Sequence, residues 1–275
     1  MTGTVPELNT IALTLEGGVA VVRLARPDAS NAMNEALWRE LRTAFDWVDA
    51  TPAARVAMLA GAGRNFCAGI DFAMLAGIDR RIAHRDGARS REALRRIILD
   101  LQDCLSAVER CRKPVLAAVH GACIGGGLDL IACCDMRYAA ADAVFSVREI
   151  DIGMVADVGT LQRLPRLIGE GMARELAYTG RDVGAEEALA LRLVNRVFAT
   201  PEALEEGVLA IAVGIAGKSP LAVRGLKEVM NYSRDHSVAD GLNHVATWNA
   251  AMLLSADLEE AMRARQERRQ PRFDD

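Results

Sequence analysis

An α/β fold with a helical extension is predicted by three features of this 275-residue sequence. Short apolar runs of strand length alternate with helical stripes through the first two-thirds of the chain. The last third carries helical patterns alone, the order expected of a strand–helix core followed by a helical appendage. Three consecutive glycines, Gly125-Gly126-Gly127, separate an apolar strand-like run from a buried helical one.

The elements follow in order. Ile11-Ala-Leu-Thr-Leu15 and Val19-Ala-Val-Val-Arg-Leu24 flank Glu16-Gly17-Gly18, a hairpin signal. The segment Arg26 to Asn31 is loop-forming. Asn34 can then cap a helix whose stripe is Leu37, Leu41, Phe45 and Val48. Arg55-Val-Ala-Met-Leu-Ala60 is the next strand, and from Leu94 a long helix places apolar residues at 94, 97, 98, 101, 105 and 108 before Lys113-Pro114 ends it. Val115-Leu-Ala-Ala-Val119 reads as a buried strand, and Leu128 to Cys134 as the start of a buried helix. Helices are predicted near 171–178 and 185–191, with a strand at 194–198. Helices over 201–215, 220–232, 242–253 and 257–269 complete the chain.

Composition narrows the function classes. Hydrophobic residues make up 51% and charged residues 25%, as in an ordinary globular protein. Aromatics at 4% are too few for base-stacking platforms, and a net charge of −4 gives no broad attraction to nucleic acid or an anionic membrane. The six cysteines (67, 104, 111, 123, 133 and 134) lack paired CxxC spacing and read as small hydrophobes in a reducing compartment. No apolar run reaches membrane-span length. No basic residue precedes Arg23, and Arg272-Phe-Asp-Asp is not a peroxisomal tail, so a cytoplasmic location is expected.

The stretch from Pro114 to Pro165 carries the chemistry. Glycines between a strand and a helix leave backbone N–H groups uncovered at the positive end of the helix dipole, suited to a developing oxyanion. Close strand–helix packing explains the same glycines equally well. Three carboxylates stand nearby among apolar residues: Asp129, Glu149 and Asp157. Burial would raise their pKa values and make them acid–base candidates. Asp151 has similar neighbours, and an alternating strand would put it on the same face as Glu149. His120, at a strand end, reads as a satisfied core residue. The arginines at 80, 81, 85, 89, 91, 95 and 96 read as a solvated helix face, or in part as a phosphate-contact patch. Gly61-Ala-Gly63 lacks a third glycine, and Gly125–Gly127 is followed by Leu-Asp rather than Lys-Ser/Thr. Neither is therefore a nucleotide-phosphate loop.

Two segments, Asn65-Phe-Cys-Ala-Gly-Ile-Asp71 and Gly121-Ala-Cys-Ile-Gly-Gly-Gly-Leu-Asp129, resemble the signature segments of the crotonase (enoyl-CoA hydratase/isomerase) superfamily. The resemblance spans nearly the whole chain. It implies a β-β-α spiral core over residues 1–200 and a helical oligomerisation region over 201–275, assembling as a homotrimer or homohexamer. It further implies an acyl-CoA thioester substrate, with CoA as part of the substrate and no metal or redox cofactor. The thioester oxygen would be bound by the backbone N–H groups of Ile70 and Gly126.

Within the superfamily, the segments 145–165 and 232–239 resemble dienoyl-CoA isomerase, whose three active-site acids match Asp129, Glu149 and Asp157. Hydratases usually carry Glu where Asp129 stands and a small residue where Asp157 stands. The resemblance thus implies isomerisation of 3,5-dienoyl-CoA to 2,4-dienoyl-CoA, with Asp157 as base at C2, Glu149 as acid at C6 and Asp129 tuning both. The rival expectations are an enoyl-CoA hydratase and, third, a crotonase-fold binding protein with a dead site.

Overall fold

The structure, a computed structural model, describes residues 4–275. β1 (Ile11–Glu16) and β2 (Val19–Leu24) form the expected antiparallel hairpin, with Ile11 opposite Leu24. Helix α1 (Glu35–Ala50) is capped by the Asn34 side chain, which accepts from the Leu37 N–H, and it buries Leu37, Leu41, Phe45 and Val48 as the spacing requires. β3 (Val56–Gly61) leads into two short helices, α2 (Phe72–Ala76) and α3 (Ile78–Ile82), and then the long α4 (Gly87–Arg110). The sequence places the start of α4 seven residues too late. Asp86 caps it by accepting from Ala88 N–H, and the first two turns are polar, so apolar periodicity could not reveal them.

β4 (Val115–Val119) and β5 (Ala122–Ile124) precede α5 (Gly126–Ala132), which starts two residues earlier than Leu128. β6 (Met136–Ala140) and β7 (Val144–Ser146) follow. Glu149–Ile152 is a single 3₁₀ turn, not an alternating strand, so Glu149 and Asp151 do not share a strand face. Next come α6 (Thr160–Ile168), α7 (Glu170–Thr179), β8 (Val183–Gly184), α8 (Ala185–Ala190) and β9 (Arg196–Phe198). The chain ends in α9 (Pro201–Ala216), α10 (Pro220–Arg234), α11 (Val238–Met252) and α12 (Ala256–Gln266).

The strands form a six-stranded sheet in the order β1-β2-β3-β4-β6-β9, parallel except for the first pair, and a three-stranded sheet in the order β5-β7-β8. Alternate residues of the larger sheet serve two cores. Val56, Met58, Ala60, Leu116 and Ala118 pack on Leu204, Val208 and Ala212 of α9. Ala57, Leu59, Val115, Ala117 and Val119 face α1, α4 and the smaller sheet. Both faces are covered, which is why β3 and β4 read as continuous apolar runs instead of alternating ones. Burying each large apolar side chain contributes about 1.5–3 kcal/mol relative to exposure. Two buried lysines brace the joint with α10: Lys113 Nζ donates to the Val48 and Thr51 carbonyls, and Lys227 Nζ to Asp135 (2.7 Å) and the Lys113 carbonyl (3.1 Å).

All six cysteines are buried and free. Among the described residues no single helix is long and apolar enough to cross a membrane. α10–α12 leave large apolar side chains in the open, among them Met230, Val238, Leu242 and Met262.

Candidate active site

The site is built where the two sheets meet. The loop after β3 lies between the Ser30–Met33 turn and β5. Phe66 N–H donates to the His120 carbonyl, Cys67 N–H to Ala122, Ala68 N–H to Ser30, and Ile124 N–H back to Cys67. Met33 N–H donates to Gly69 and Asp71 N–H to Met33, so Cys67 pairs with Cys123 and Met33 with Ile70 as isolated bridges. Two asparagines supply the turns with partners. Asn31 donates to the Ala62 and Asn65 carbonyls (both 2.8 Å), and Asn65 accepts from Ala122 N–H (3.0 Å). Arg26 and Asp71 (3.0 Å) close the loop, with Asp71 also capping α2.

These ties bring Gly69–Ile70 against the start of α5. A Cβ added to Gly69 would stand 3.0 Å from the Ile124 carbonyl oxygen and 3.6 Å from Gly126 N, and the Gly69 φ of +93° already excludes most side chains. Gly127 has no room either, since its Cβ would lie 2.9 Å from the Cys67 carbonyl oxygen. Both explanations of the glycines therefore hold at once: the loops touch because side chains are missing, and N–H groups are left uncovered. Among the described residues, nothing accepts from the N–H of Ile70 or of Gly126. Gly126 is the first residue of α5, where a helix has no internal acceptor to offer.

The three carboxylates come from separate elements and converge beside those amides. Asp129, one turn into α5, is fully buried (0% exposed); its Oδ1 accepts from the Thr160 N–H at 2.6 Å and its Oδ2 has no hydrogen-bond partner. Burial raises its pKa to about 6 against the bonds from Thr160, with the Asp157 charge adding to the rise. Glu149, in the 3₁₀ turn, lies over Gly125, whose Cβ would stand 3.1 Å from Oε1; its Oε2 is buried without a partner. Burial and then the Asp129 charge raise Glu149 to about 7. Asp157, half-buried in the loop before α6, is raised by burial. Two carboxyl oxygens left unpaired in a buried site are costly to folding and suited to exchanging protons.

Asp151 stays outside this group: it is exposed and pairs with Arg148 (3.5 Å). His120 Nε2 bonds the Gly63 carbonyl (2.9 Å) at the strand end, so it is satisfied as expected, but it is half-buried at the edge and not a core residue. The arginine run is divided between α3, the segment between the helices (Arg85) and α4. Arg81 pairs with Glu35, Arg89 with Asp86 and Arg96 with Glu92, which is mostly a solvated face. Sequence reasoning passed over Asn31, Asn65, Thr160 and Gln102, whose bonds hold the site's loops. Asn65 lies inside the first signature segment and Thr160 inside the 145–165 segment, but neither residue type there signals its partner.

The fold and the paired glycine loops define a crotonase-fold protein, and the chain belongs to the enoyl-CoA hydratase/isomerase family, whose sequence profile matches residues 14–275. It is an enzyme family. A peroxisomal Delta(3,5)-Delta(2,4)-dienoyl-CoA isomerase of Arabidopsis thaliana is 48% identical over 267 residues, covering 97% of this chain and 96% of the relative. The mitochondrial enzyme of that name from Homo sapiens is 47% identical over 250 residues, 90% of this chain and 76% of its own. Among solved structures, an enoyl-CoA hydratase from Bacillus anthracis superposes with a TM-score of 0.88 at 32% identity, covering 97% of this chain and 99% of that one.

Proposed function

We propose that this enzyme isomerises 3,5-dienoyl-CoA to 2,4-dienoyl-CoA. The reaction removes a proton from C2 and delivers one to C6, four bonds away along a flat dienolate, too far for one carboxylate to serve both. In this reading the N–H groups of Ile70 and Gly126 bind the thioester oxygen and stabilise the charge that develops there. Asp157 is the base at C2 and Glu149 the acid at C6. Asp129, raised by burial to about 6 and so still ionised at neutral pH, keeps the Glu149 proton in place by charge repulsion. The substrate's CoA is its handle, and amides with carboxylates supply all the chemistry, so the reaction needs no metal or redox cofactor.

The observation that carries this reading is the convergence of three acids with different surroundings: Asp129 fully buried and bonded to a helix N-terminus, Glu149 half-buried with one buried oxygen left without a partner, and Asp157 half-buried with no such orphan oxygen. Environments that push pKa values apart are what paired acid and base work requires. The names of the relatives at 44–48% identity agree with it. A hydratase reading has support of its own, since a crotonyl-CoA hydratase of Syntrophomonas wolfei is 35% identical over 266 residues. The short Asp129 weighs against it, because it withdraws one of the two carboxylates a hydratase uses to hold water. A dead binding protein has no comparable support.

We further read the protein as a homotrimer or homohexamer, supported by the apolar faces of α10–α12. Cytoplasmic residence is kept as our reading; the compartments in the relatives' names are theirs. The test is turnover of purified protein on paired substrates. Growth of conjugated 2,4-dienoyl absorbance from a 3,5-dienoyl-CoA is expected, whereas consumption of 2-enoyl absorbance alone would favour hydration. Asp157→Asn should abolish isomerisation while CoA-ester binding survives, and near wild-type turnover would remove Asp157 from the mechanism.

A further inference from the structure

The loop that carries Asp157 is poorly tethered for a segment that must aim a base. From Val155 to Val158, one hydrogen bond with another residue is made among the described residues: Gln102 Nε2 donates to the Asp157 carbonyl at 2.6 Å. Gly153 (φ +71°) and Gly159 (φ +135°) stand at the two ends of this loop, so its conformation is not fixed by local backbone preference.

Gln102 itself is firmly mounted. α4 packs on α1, and Arg42 of α1 bonds both Asp100 and Asp103 of α4 (3.1 Å each), on either side of Gln102 in sequence. Gln102, Ser106 and Glu109 follow one face of the helix at four- and three-residue spacing. Each meets the same downstream segment. Arg163 of α6 reaches Ser106 Oγ (3.5 Å) and Glu109 Oε2 (2.8 Å), and its guanidinium occupies the place where a Cβ on Gly159 would be. That stripe therefore holds the start of α6, whose Thr160 N–H grips Asp129, and through Gln102 the loop just before it.

We infer that Gln102 is a positioning residue for the proton-transfer reaction, fixing the Asp157 carboxylate by holding its main-chain carbonyl. The inference rests on Asp157 being the C2 base. Gln102 touches no reacting atom; its side chain sets where the base stands relative to the bound acyl chain. An error of about 1 Å in such a placement costs on the order of 100-fold in rate. Binding of the CoA ester depends on other groups, so the loss belongs in kcat and not in KM.

The experiment compares Gln102→Met, Gln102→Glu and Asp157→Asn as purified full-length proteins, with kcat, KM and thermal midpoint for each. Methionine keeps the length and removes the donor; glutamate keeps the shape and turns a carboxylate toward the carbonyl. Both Gln102 variants are expected to lose about 10–100-fold in kcat, with KM within about twofold and the thermal midpoint near wild type. If Gln102→Met does not fold, Gln102→Glu decides alone. Wild-type kcat in the Gln102 variants beside an inactive Asp157→Asn would overturn this inference and leave the proposed reaction standing. A parallel fall in kcat and thermal midpoint, or a rise in KM that accounts for the loss, would reduce Gln102 to a structural residue and also overturn it. Full activity in Asp157→Asn would remove Asp157 as the C2 base and overturn this inference with it, while the isomerisation itself would be judged by the dienoyl absorbance assay.

Discussion

Replacing Asp129 by asparagine tests the coupling between Asp129 and Glu149. Glu149 is raised to about 7 by burial first and by the Asp129 charge second. The substituted amide can keep the acceptor for Thr160 N–H through its side-chain oxygen while removing the charge that repels an ionised Glu149. Glu149 then loses its proton more readily, and its pKa should fall by about one unit, a tenfold change in proton affinity. If protonated Glu149 is the acid, wild-type activity declines as pH rises through about 7, and the variant's decline sits at lower pH. At pH 7.5 the protonated share would drop from about a quarter to about 3%, roughly an eightfold loss of kcat/KM, with little change near pH 5. The assay is kcat/KM for dienoyl isomerisation from pH 5 to 9 in both proteins. A descending limb that stays in place, or moves to higher pH, would refute the claim that the Asp129 charge holds the Glu149 proton.

Two further substitutions test other parts of the framework. Gly125→Ala puts a methyl 3.1 Å from Glu149 Oε1 at a φ of +51°, so it should displace that carboxylate and lower kcat at least tenfold; unchanged turnover would show that Glu149 does not need this seat. Lys227→Ala removes the buried partner of Asp135 and should cost about 3 kcal/mol in urea unfolding at fixed protein concentration, and a loss below about 1 kcal/mol would mean the pair is replaceable.

The sequence was most readable where periodicity alone decides. The stripe from Leu37 to Val48 and the runs in β3 and β4 are apolar because both flanks are buried, and they came out at nearly their true limits. β5, β7 and β8 are two or three residues long, too short for a period to develop, and they were not distinguishable from loop. The turn at Glu149 was equally opaque, since Ile150 and Ile152 mimic strand alternation although both are largely exposed. For the site, the three acids stood out as charges among apolar neighbours. What holds them did not. Asn31, Thr160 and Gln102 act through backbone contacts made across 31 to 55 residues of chain, and no local pattern encodes such a partner.

The two amide-bearing loops are hydrogen-bonded to each other through the Cys67–Cys123 pairing, whereas Asp129, Glu149 and Asp157 arrive from a helix, a 3₁₀ turn and a loop. In the proposed reaction, carbonyl recognition is thus a welded unit with Asp129 built into the helix that carries Gly126, while Glu149 and Asp157 are separately mounted around it. On the proposed reading, a single change at either of those two mounts would alter which protons move while leaving the grip on the thioester intact. A fold arranged in this manner can diversify its reactions one position at a time, without ever passing through an ancestor unable to hold its ligand.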